Sequence, residues 1–543
     1  MGETRLGQRG RVGQWGQLGW GLLLAAILPF LPPSAPPAPQ QQYDLLITNG
    51  RLLDGTGSPW YYADVAITGD RIVAVGRLDG ASAQRVIDAR GLYVAPGFID
   101  VHTHAASGLV RAELSHARPL LAQGVTTVIL NPDGGSPLDL PQQGEHLLEY
   151  GLGVNAALLI GHGSVRQAVL GMDDRAPNPA ELQQMKELIR TGMEDGAFGM
   201  SSGPYYAPGS YSTTEELVEL SKVVSEFDGV YTSHIRDEAD YNIGVVAAVD
   251  EVITIAREAG LPGLVTHIKA LGPRVWGYST TIVDHIERAR VEGVEVFADQ
   301  YPYLASGTSI TGALVPRWAQ VGGRDSLLYR IADQTERERL REGMLENLDR
   351  RGGADKLQFR SAPDHSIEGR TLQAVADDRG MEPVDLAIEL LKVGGAGVVS
   401  FNMHQDDVDL LMAQPWTMTS SDGGLVPMDQ GVPHPRYYGT FPRKIRQYVL
   451  ERGIIDLGTA IRSMTSTSAA VFRIPDRGLI RPGTIADIVV FDLETIEDKA
   501  TYSDPHQLSE GMVYVMVNGE LAIDGGAFTS VMAGRVLLKN IEY

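Results

Sequence analysis

The sequence predicts an α/β protein: a (β/α)8 TIM barrel with a small β-sandwich built from both chain ends and an inserted helical segment. Three observations predict it. Between about 96 and 477, apolar strand-like runs alternate with helical patterns, the signature of repeated βα units. The ends, 43–95 and 478–543, read instead as short strands broken by Gly, Asn and Asp. Histidines and an aspartate fall where strands of the middle segment end, which in such barrels is where chemistry is done.

Each element follows in order. The N-terminal β-rich stretch contains DLLITNGRLLDGTG, DVAITGDRIVAVGRL and QRVIDARGLYVAPG. Its C-terminal counterparts are GLIRPGTIADIVVFDLE, VYVMVNGELAIDGG and AGRVLL, and the two ends can pair into one discontinuous domain. The barrel opens with GFIDVHTH, a helical stretch at 112–123 and the strand VTTVIL. GVNAALLIGHGSV precedes a helix at 179–193 and the strand AFGMSSG. Thr213-Thr214-Glu215-Glu216 carries capping-box chemistry for a helix with the apolar face Leu217, Leu220, Val223, Val224 and Phe227. VYTSHI, LVTHIKA and VEVFADQYPY are the next strands, separated by helical IGVVAAVDEVITIAREAG and TTIVDHIERARVEG. GGVVSFNM, the helix QDDVDLLMAQ and the strand WTMTSSD complete the middle segment. From about 306 to 362 the alternation gives way to a charged, helical insert, either a lid or a decorating hairpin.

Composition narrows the function. A chain of 543 residues is too long for one ordinary core. A protein that neutralises phosphates needs a basic surface, so a net charge of −22 argues against nucleic acid as a partner. With no cysteine, any metal must sit on His, Asp, Glu or a modified Lys. Arg5, Arg9 and Arg11 precede the apolar run 21–31 and a Pro/Ala/Gln stretch. The segment 1–42 therefore reads as a signal peptide and Pro-rich linker, implying a secreted or periplasmic protein, with an N-terminal membrane anchor as the alternative.

The strongest chemical feature is His102-x-His104, since alternation can aim both imidazoles into the barrel mouth and neutral imidazole is a good zinc ligand. His234 and His267 end later strands and complete a four-histidine set. Asp422 ends WTMTSSD, where a carboxylate beside a metal can be a ligand and can also take a proton from attacking water. His162, in LLIGHGSV, is structural or supports the ligands from behind, while His116, His404 and His434 carry no assignment.

APGFIDVHTH, the two strand-end histidines and the strand-end aspartate resemble the amidohydrolase superfamily. GMSSGPYYAPGSYSTTEEL, YTSHIRDEAD, THIKALG, ADQYPYLASGTS, TMTSSDGG and PHPRYYGTFPR are closer still to the N-acyl-D-amino-acid deacylase family, from about residue 43 to the C-terminus. The resemblance implies metal ligation by His102, His104, His234 and His267, with Asp422 as catalytic acid/base. It implies a small-molecule N-acyl amino acid substrate. Arg436 in PHPR would bind the substrate carboxylate, which a guanidinium fork matches bidentately. Lys269, Tyr303 and Tyr206 would line the same pocket.

One position departs from the family pattern. Where the family has a metal-ligating Cys after the second barrel strand, this chain has Asp133 in GVTTVILNPDGG. Asp133 can bridge metals as a carboxylate or serve as an ordinary turn residue after Asn-Pro. The site is thus expected to hold one or two Zn2+ ions, or another divalent metal. The rival functions are a cyclic amidase of the hydantoinase or dihydropyrimidinase kind and a dipeptidase specific for D-residues. A degenerate binding protein is the reading outside enzymes. Cyclic amidases carry a carboxylated Lys at a barrel strand end, and no Lys stands in GVNAALLIGHG.

Overall fold

A computed structural model describes residues 42–539. The segment 1–42 read as a signal and linker lies, but for its last residue, outside the described residues. No helix among the described residues is long and apolar enough to cross a membrane.

Eight parallel strands make the barrel: β1 (Phe98–Asp100), β2 (Val125–Leu130), β3 (Asn155–Leu158, continued by Ile160–Gly161), β4 (Gly199–Ser202), β5 (Val230–Ser233), β6 (Gly263–Val265), β7 (Val296–Gln300) and β8 (Thr417–Thr419). Each pairs with the next in chain order. Between β8 and β1 the ring closes just beyond the strand ends, where Asp422 N donates to His102 O at 2.9 Å and His104 N to Gly423 O at 2.7 Å. Ile99, Ile129, Ala157, Phe198, Val230, Leu264 and Met418 pack together inside the ring. The outward set, including Val128, Ile160, Met200, Tyr231 and Val265, packs against the helices.

Most of those helices form where the sequence patterns placed them, but the stretch 112–123 holds only the single turn Arg118–Leu121. Helix α1 (Pro179–Glu194) starts with a reciprocal capping box between Asn178 and Glu181 and buries Met185, Ile189 and Met193. Helix α2 (Thr214–Ser225) is capped by Thr213, whose hydroxyl accepts from Glu216 N at 3.3 Å, and buries Leu217, Leu220, Val223 and Val224. Both chain ends contribute to a seven-stranded sheet, in which Tyr93–Pro96 pairs with Ile488–Phe491. A four-stranded N-terminal sheet shares a core with it, including Ile47, Val65, Ile72, Val94 and Ile488.

Two boundaries differ from the sequence reading. The insert runs past 362. Its three-stranded sheet is formed by Ser306–Ser309, Leu357–Ser361 and Gly397–Ser400, all antiparallel, with their own apolar core. GVVS at 397–400 therefore belongs to the insert, because a short buried apolar run looks the same in either sheet. At the C-terminus, Val536–Leu537 pairs in parallel with β3 of the barrel rather than with the sandwich.

Candidate active site

The ends of β1, β2, β5, β6 and β8 converge on one point. Asp133 stands at its centre. Its Oδ1 lies 3.4 Å from His102 Nε2, 3.6 Å from His234 Nδ1 and 3.7 Å from His267 Nε2, and its Oδ2 lies 3.5 Å from His104 Nε2. Asp422 Oδ1 is 3.2 Å from His104 Nε2 and 3.8 Å from His102 Nε2, while its Oδ2 is 2.9 Å from Arg436 Nη1.

The backbone is bent to achieve this. Asp133, His267 and Asp422 have φ of +58°, +37° and +46°, a left-handed region costly for residues with a Cβ. The NPDGG turn is held by Asn131 Nδ2, which donates to Leu159 O at 3.0 Å, and by Ser201 Oγ, which donates to Asn131 O at 2.6 Å. Gly203 allows the turn to sit close, since a Cβ there would lie 2.4 Å from Asp133 O. Buried Asp100 accepts from His102 N at 3.3 Å and Ser421 N at 2.9 Å, latching β1 to the loop after β8. Asp299 does the same for His267 N at 2.9 Å. Burial pushes these two carboxyls up, to about 7 and about 6.

The donor set fits a divalent cation. His102, His104 and Asp133, then His102, His267 and Asp422, then Asp133, His234 and His267 each present ligand atoms within 4.8 Å of one another. His102 Nε2, Asp133 Oδ1 and both ring nitrogens of His234 are buried without a hydrogen-bond partner, a cost that a shared cation removes. Burial lowers His102 to about 3, which keeps it neutral as a ligand must be. Burial also opposes charge on His104 and His267, yet the neighbouring carboxylates prevail and raise them to about 10 and about 9, so a bound cation would have to displace their protons. A cavity of about 460 Å³ opens over this cluster.

A profile of the amidohydrolase family matches residues 85–523. The chain belongs to the amidohydrolase family. Over 92% of its length it is 35% identical to D-aminoacylase from Alcaligenes xylosoxydans xylosoxydans, covering 98% of that protein. It is 34% identical to N-acyl-D-glutamate deacylase of the same organism, over 92% of this chain and 98% of that one. The crystal structure of N-acyl-D-glutamate deacylase from Bordetella bronchiseptica, complexed with zinc and a phosphonate inhibitor, superposes with a TM-score of 0.78 at 33% identity, covering 92% of this chain and all of that one.

Within this amidohydrolase, His102, His104, His234, His267, Asp133 and Asp422 meet as one cluster. Arg436, Lys269 and Tyr206 join them on the cavity wall. Arg436 lies 4.6 Å from the ring of Tyr301, and Tyr206 has its ring 4.7 Å from that of His234. Tyr303 does not line the cavity. It is buried behind it, with the Arg443 guanidinium 4.6 Å from its ring, and Tyr301 occupies the wall instead. Strand alternation could not separate the two, because β7 ends at Gln300 and a tight turn brings Tyr303 N to Tyr301 O at 3.0 Å. His162 is not part of the cluster: its Nε2 is bonded at 2.9 Å to buried Glu216. His434 is a wall residue held by Ala305 O at 2.9 Å.

Glu238 escaped the sequence reading. It lies behind the histidines, with Oε1 3.1 Å from His267 Nδ1 and in contact with Lys269 Nζ, and Oε2 3.8 Å from His234 Nε2. Its signal was an acid in HIRDEAD four residues after a strand-end histidine, but that loop also holds Asp237 and Asp240. Asp237 accepts backbone N–H groups of Ala239, Asn242 and Gly244, so charge alone did not pick out Glu238.

Proposed function

We propose that this amidohydrolase is a zinc-dependent deacylase of N-acyl-D-amino acids, yielding a carboxylate and a free D-amino acid. The observation that carries the reading is Asp422, which turns one oxygen toward His104 and His102 and the other toward Arg436. One carboxylate thus joins the cation-binding cluster to a guanidinium that suits the substrate's own carboxylate. The family and its D-aminoacylase relatives support the amide chemistry and the D configuration.

His102, His104, Asp133, His234 and His267 would hold the cation, with Asp422 beside it. When bound, it would supply Lewis acidity, polarising a carbonyl and lowering the pKa of water. Asp422 is held well below the usual carboxylate range: burial works against its charge, but Arg436 and the imidazoles prevail. It is therefore ionised, and its position beside the cluster rather than its basicity suits it to take a proton from the attacking water and to pass it to the departing nitrogen. Amide hydrolysis needs that second transfer, because an amide anion is a poor leaving group. Arg436 Nη1 contacts Asp422 Oδ2 without hydrogen-bond alignment, and its Nε has no acceptor. A substrate carboxylate can take up those N–H groups and fix which face of the amide is attacked. Tyr301 borders the cavity beside Lys269, and Tyr206 borders it beside His234.

The test is turnover of N-acetyl-D- and N-acetyl-L-amino acids, dipeptides and cyclic amides, with metal content measured on the same samples. Preference for the N-acetyl-D series and about one or two zinc per chain are expected; turnover of cyclic amides alone would overturn the reading. Asp422→Asn should lower kcat about 10²–10⁴-fold with metal retained. The segment 1–42 is read as an export signal, which N-terminal sequencing of the protein recovered outside the cytoplasm checks.

A further inference from the structure

A second cavity of about 410 Å³ adjoins the reaction cavity and has no part in the chemistry above. Tyr205 and Tyr206, on the loop after β4, line both. Beyond them the wall is made by Tyr241, from the loop after β5, and by Val315, Pro316 and Trp318 of the insert. Barrel loops and insert thus build this cavity together.

Local packing holds the wall in place. The Tyr205 ring stands edge-on to those of Tyr206 and Tyr241, with centroids 5.0 and 6.0 Å apart. Tyr205 Oη donates to Gly312 O at 3.1 Å, and Tyr206 Oη meets Thr308 Oγ1 at 3.2 Å, so both hydroxyls are turned to the insert. Polar side chains of the wall are likewise engaged by protein. Gln320 Nε2 donates to Val315 O at 2.9 Å, and Asn347 Nδ2 donates to Leu314 O at 3.0 Å. Arg350 pairs with Glu346 at 2.6 Å. Arg317 donates to Arg236 O, with its guanidinium carbon 5.3 Å from the Tyr205 ring. With those groups engaged, the surface best able to hold a ligand is the aromatic and aliphatic one.

Topology says which part of a substrate reaches it. In a ring of eight strands, β8 and β4 stand opposite each other. Asp422 and Arg436 follow β8, whereas Tyr205 and Tyr206 follow β4. With the substrate carboxylate on Arg436 and the amide carbonyl at the central cluster, the group beyond the carbonyl points away from Arg436. It then runs toward Tyr206, whose ring is 4.7 Å from that of His234. An acetyl group is too short to go further, but a longer chain continues past Tyr206 into the second cavity.

We infer that the second cavity is a subsite for an apolar acyl chain, and that the preferred substrates carry an aromatic or medium-length alkyl acyl group rather than acetyl. This rests on the deacylase reading above. Trp318 and Tyr241 are then specificity-determining residues, with no part in the bond cleavage.

The experiment compares kcat/KM for N-acetyl-, N-butyryl-, N-octanoyl- and N-phenylacetyl-D-leucine in the wild-type holoenzyme, Trp318→Ala and Asn242→Trp. The wild type should favour the octanoyl or phenylacetyl substrate over the acetyl one by at least about tenfold, the low end of what one methylene is worth in an apolar pocket. Trp318→Ala removes an aromatic wall. Asn242→Trp puts a ring on the cavity's edge while keeping the backbone bond from Asn242 N to Asp237. Each should lower the ratio of octanoyl to acetyl kcat/KM by about tenfold. A ratio unchanged in both folded variants, including equal loss on all four substrates, would overturn the inference. So would a wild type that favours N-acetyl-D-leucine, although the deacylase reading would then stand. Failure to cleave any of the four would instead count against the deacylase reading. Calorimetry of octanoate and acetate binding to the zinc-loaded protein reads the subsite without turnover. A more negative heat-capacity change for octanoate that shrinks in Trp318→Ala upholds the subsite, and equal changes for the two anions reject it.

Discussion

At the scale of single residues, the site turns on where charge is balanced. Asp133 touches four imidazoles, a position a turn residue would not occupy by chance. Asp133→Ala should lower the metal bound per chain, read by elemental analysis, and unchanged content would show that Asp133 is only a turn residue. Glu238 acts through its neighbours. Burial opposes its charge, but Lys269 and the two imidazoles hold it below the usual carboxylate range, so it orients His267 and His234 from behind. Such support is worth about 10- to 100-fold in metal affinity. Glu238→Gln should weaken zinc binding by that factor in a competition titration with a chelator; wild-type affinity would deny Glu238 a supporting role. The histidines were legible because each ends an apolar run. Glu238 and Tyr301 were not, because they lie in loops where no periodicity says which side chain turns inward.

At the scale of elements, the turn after β2 and the loop after β4 are fitted backbone to backbone. Gly203→Ala would drive a methyl group against Asp133 O, at 2.4 Å in the present geometry, so one of the two loops must move. Metal affinity and activity should fall together while far-ultraviolet circular dichroism stays as in the wild type; an unaffected metal site would show that the loops yield freely. The insert has a core of its own, in which Leu340 and Met344 of the helix Gln334–Arg350 are fully buried. Leu340→Ala should cost about 2–5 kcal/mol within that unit. Hydrogen exchange should rise in the insert before it rises in the barrel strands. A uniform rise would mean that insert and barrel unfold as one.

At the scale of the whole molecule, Lys444 joins the helix after the PHPR motif to the barrel. It is buried, donating to Thr419 Oγ1 at 2.8 Å and Ser463 Oγ at 2.9 Å, and burial alone lowers its pKa from 10.5 to about 7. Below about pH 7 both folded and unfolded chains carry the proton, and the folded state bears the full cost of the buried charge. Between about pH 7 and 10.5 the unfolded chain binds more protons, so this contribution to stability improves as pH rises. Lys444→Met should therefore raise the melting temperature most at pH 6–7, with the gain shrinking toward pH 10. A gain independent of pH would show that Lys444 does not titrate in this window.

The amino-acid sequence by itself determined the alternation of strand and helix, the pairing of both chain ends and the histidines and carboxylates that meet at the barrel mouth. These follow from short-range rules of period, capping and strand-end position. Only the tertiary structure decided how far the insert reaches, that Tyr301 rather than Tyr303 faces the cavity, and that Glu238 stands behind the histidines. The same holds for the second cavity, which barrel loops and insert line together. The reason is physical: a loop residue's role depends on which distant strands its backbone bends toward, and that direction is set by packing across the whole ring rather than by its neighbours in sequence.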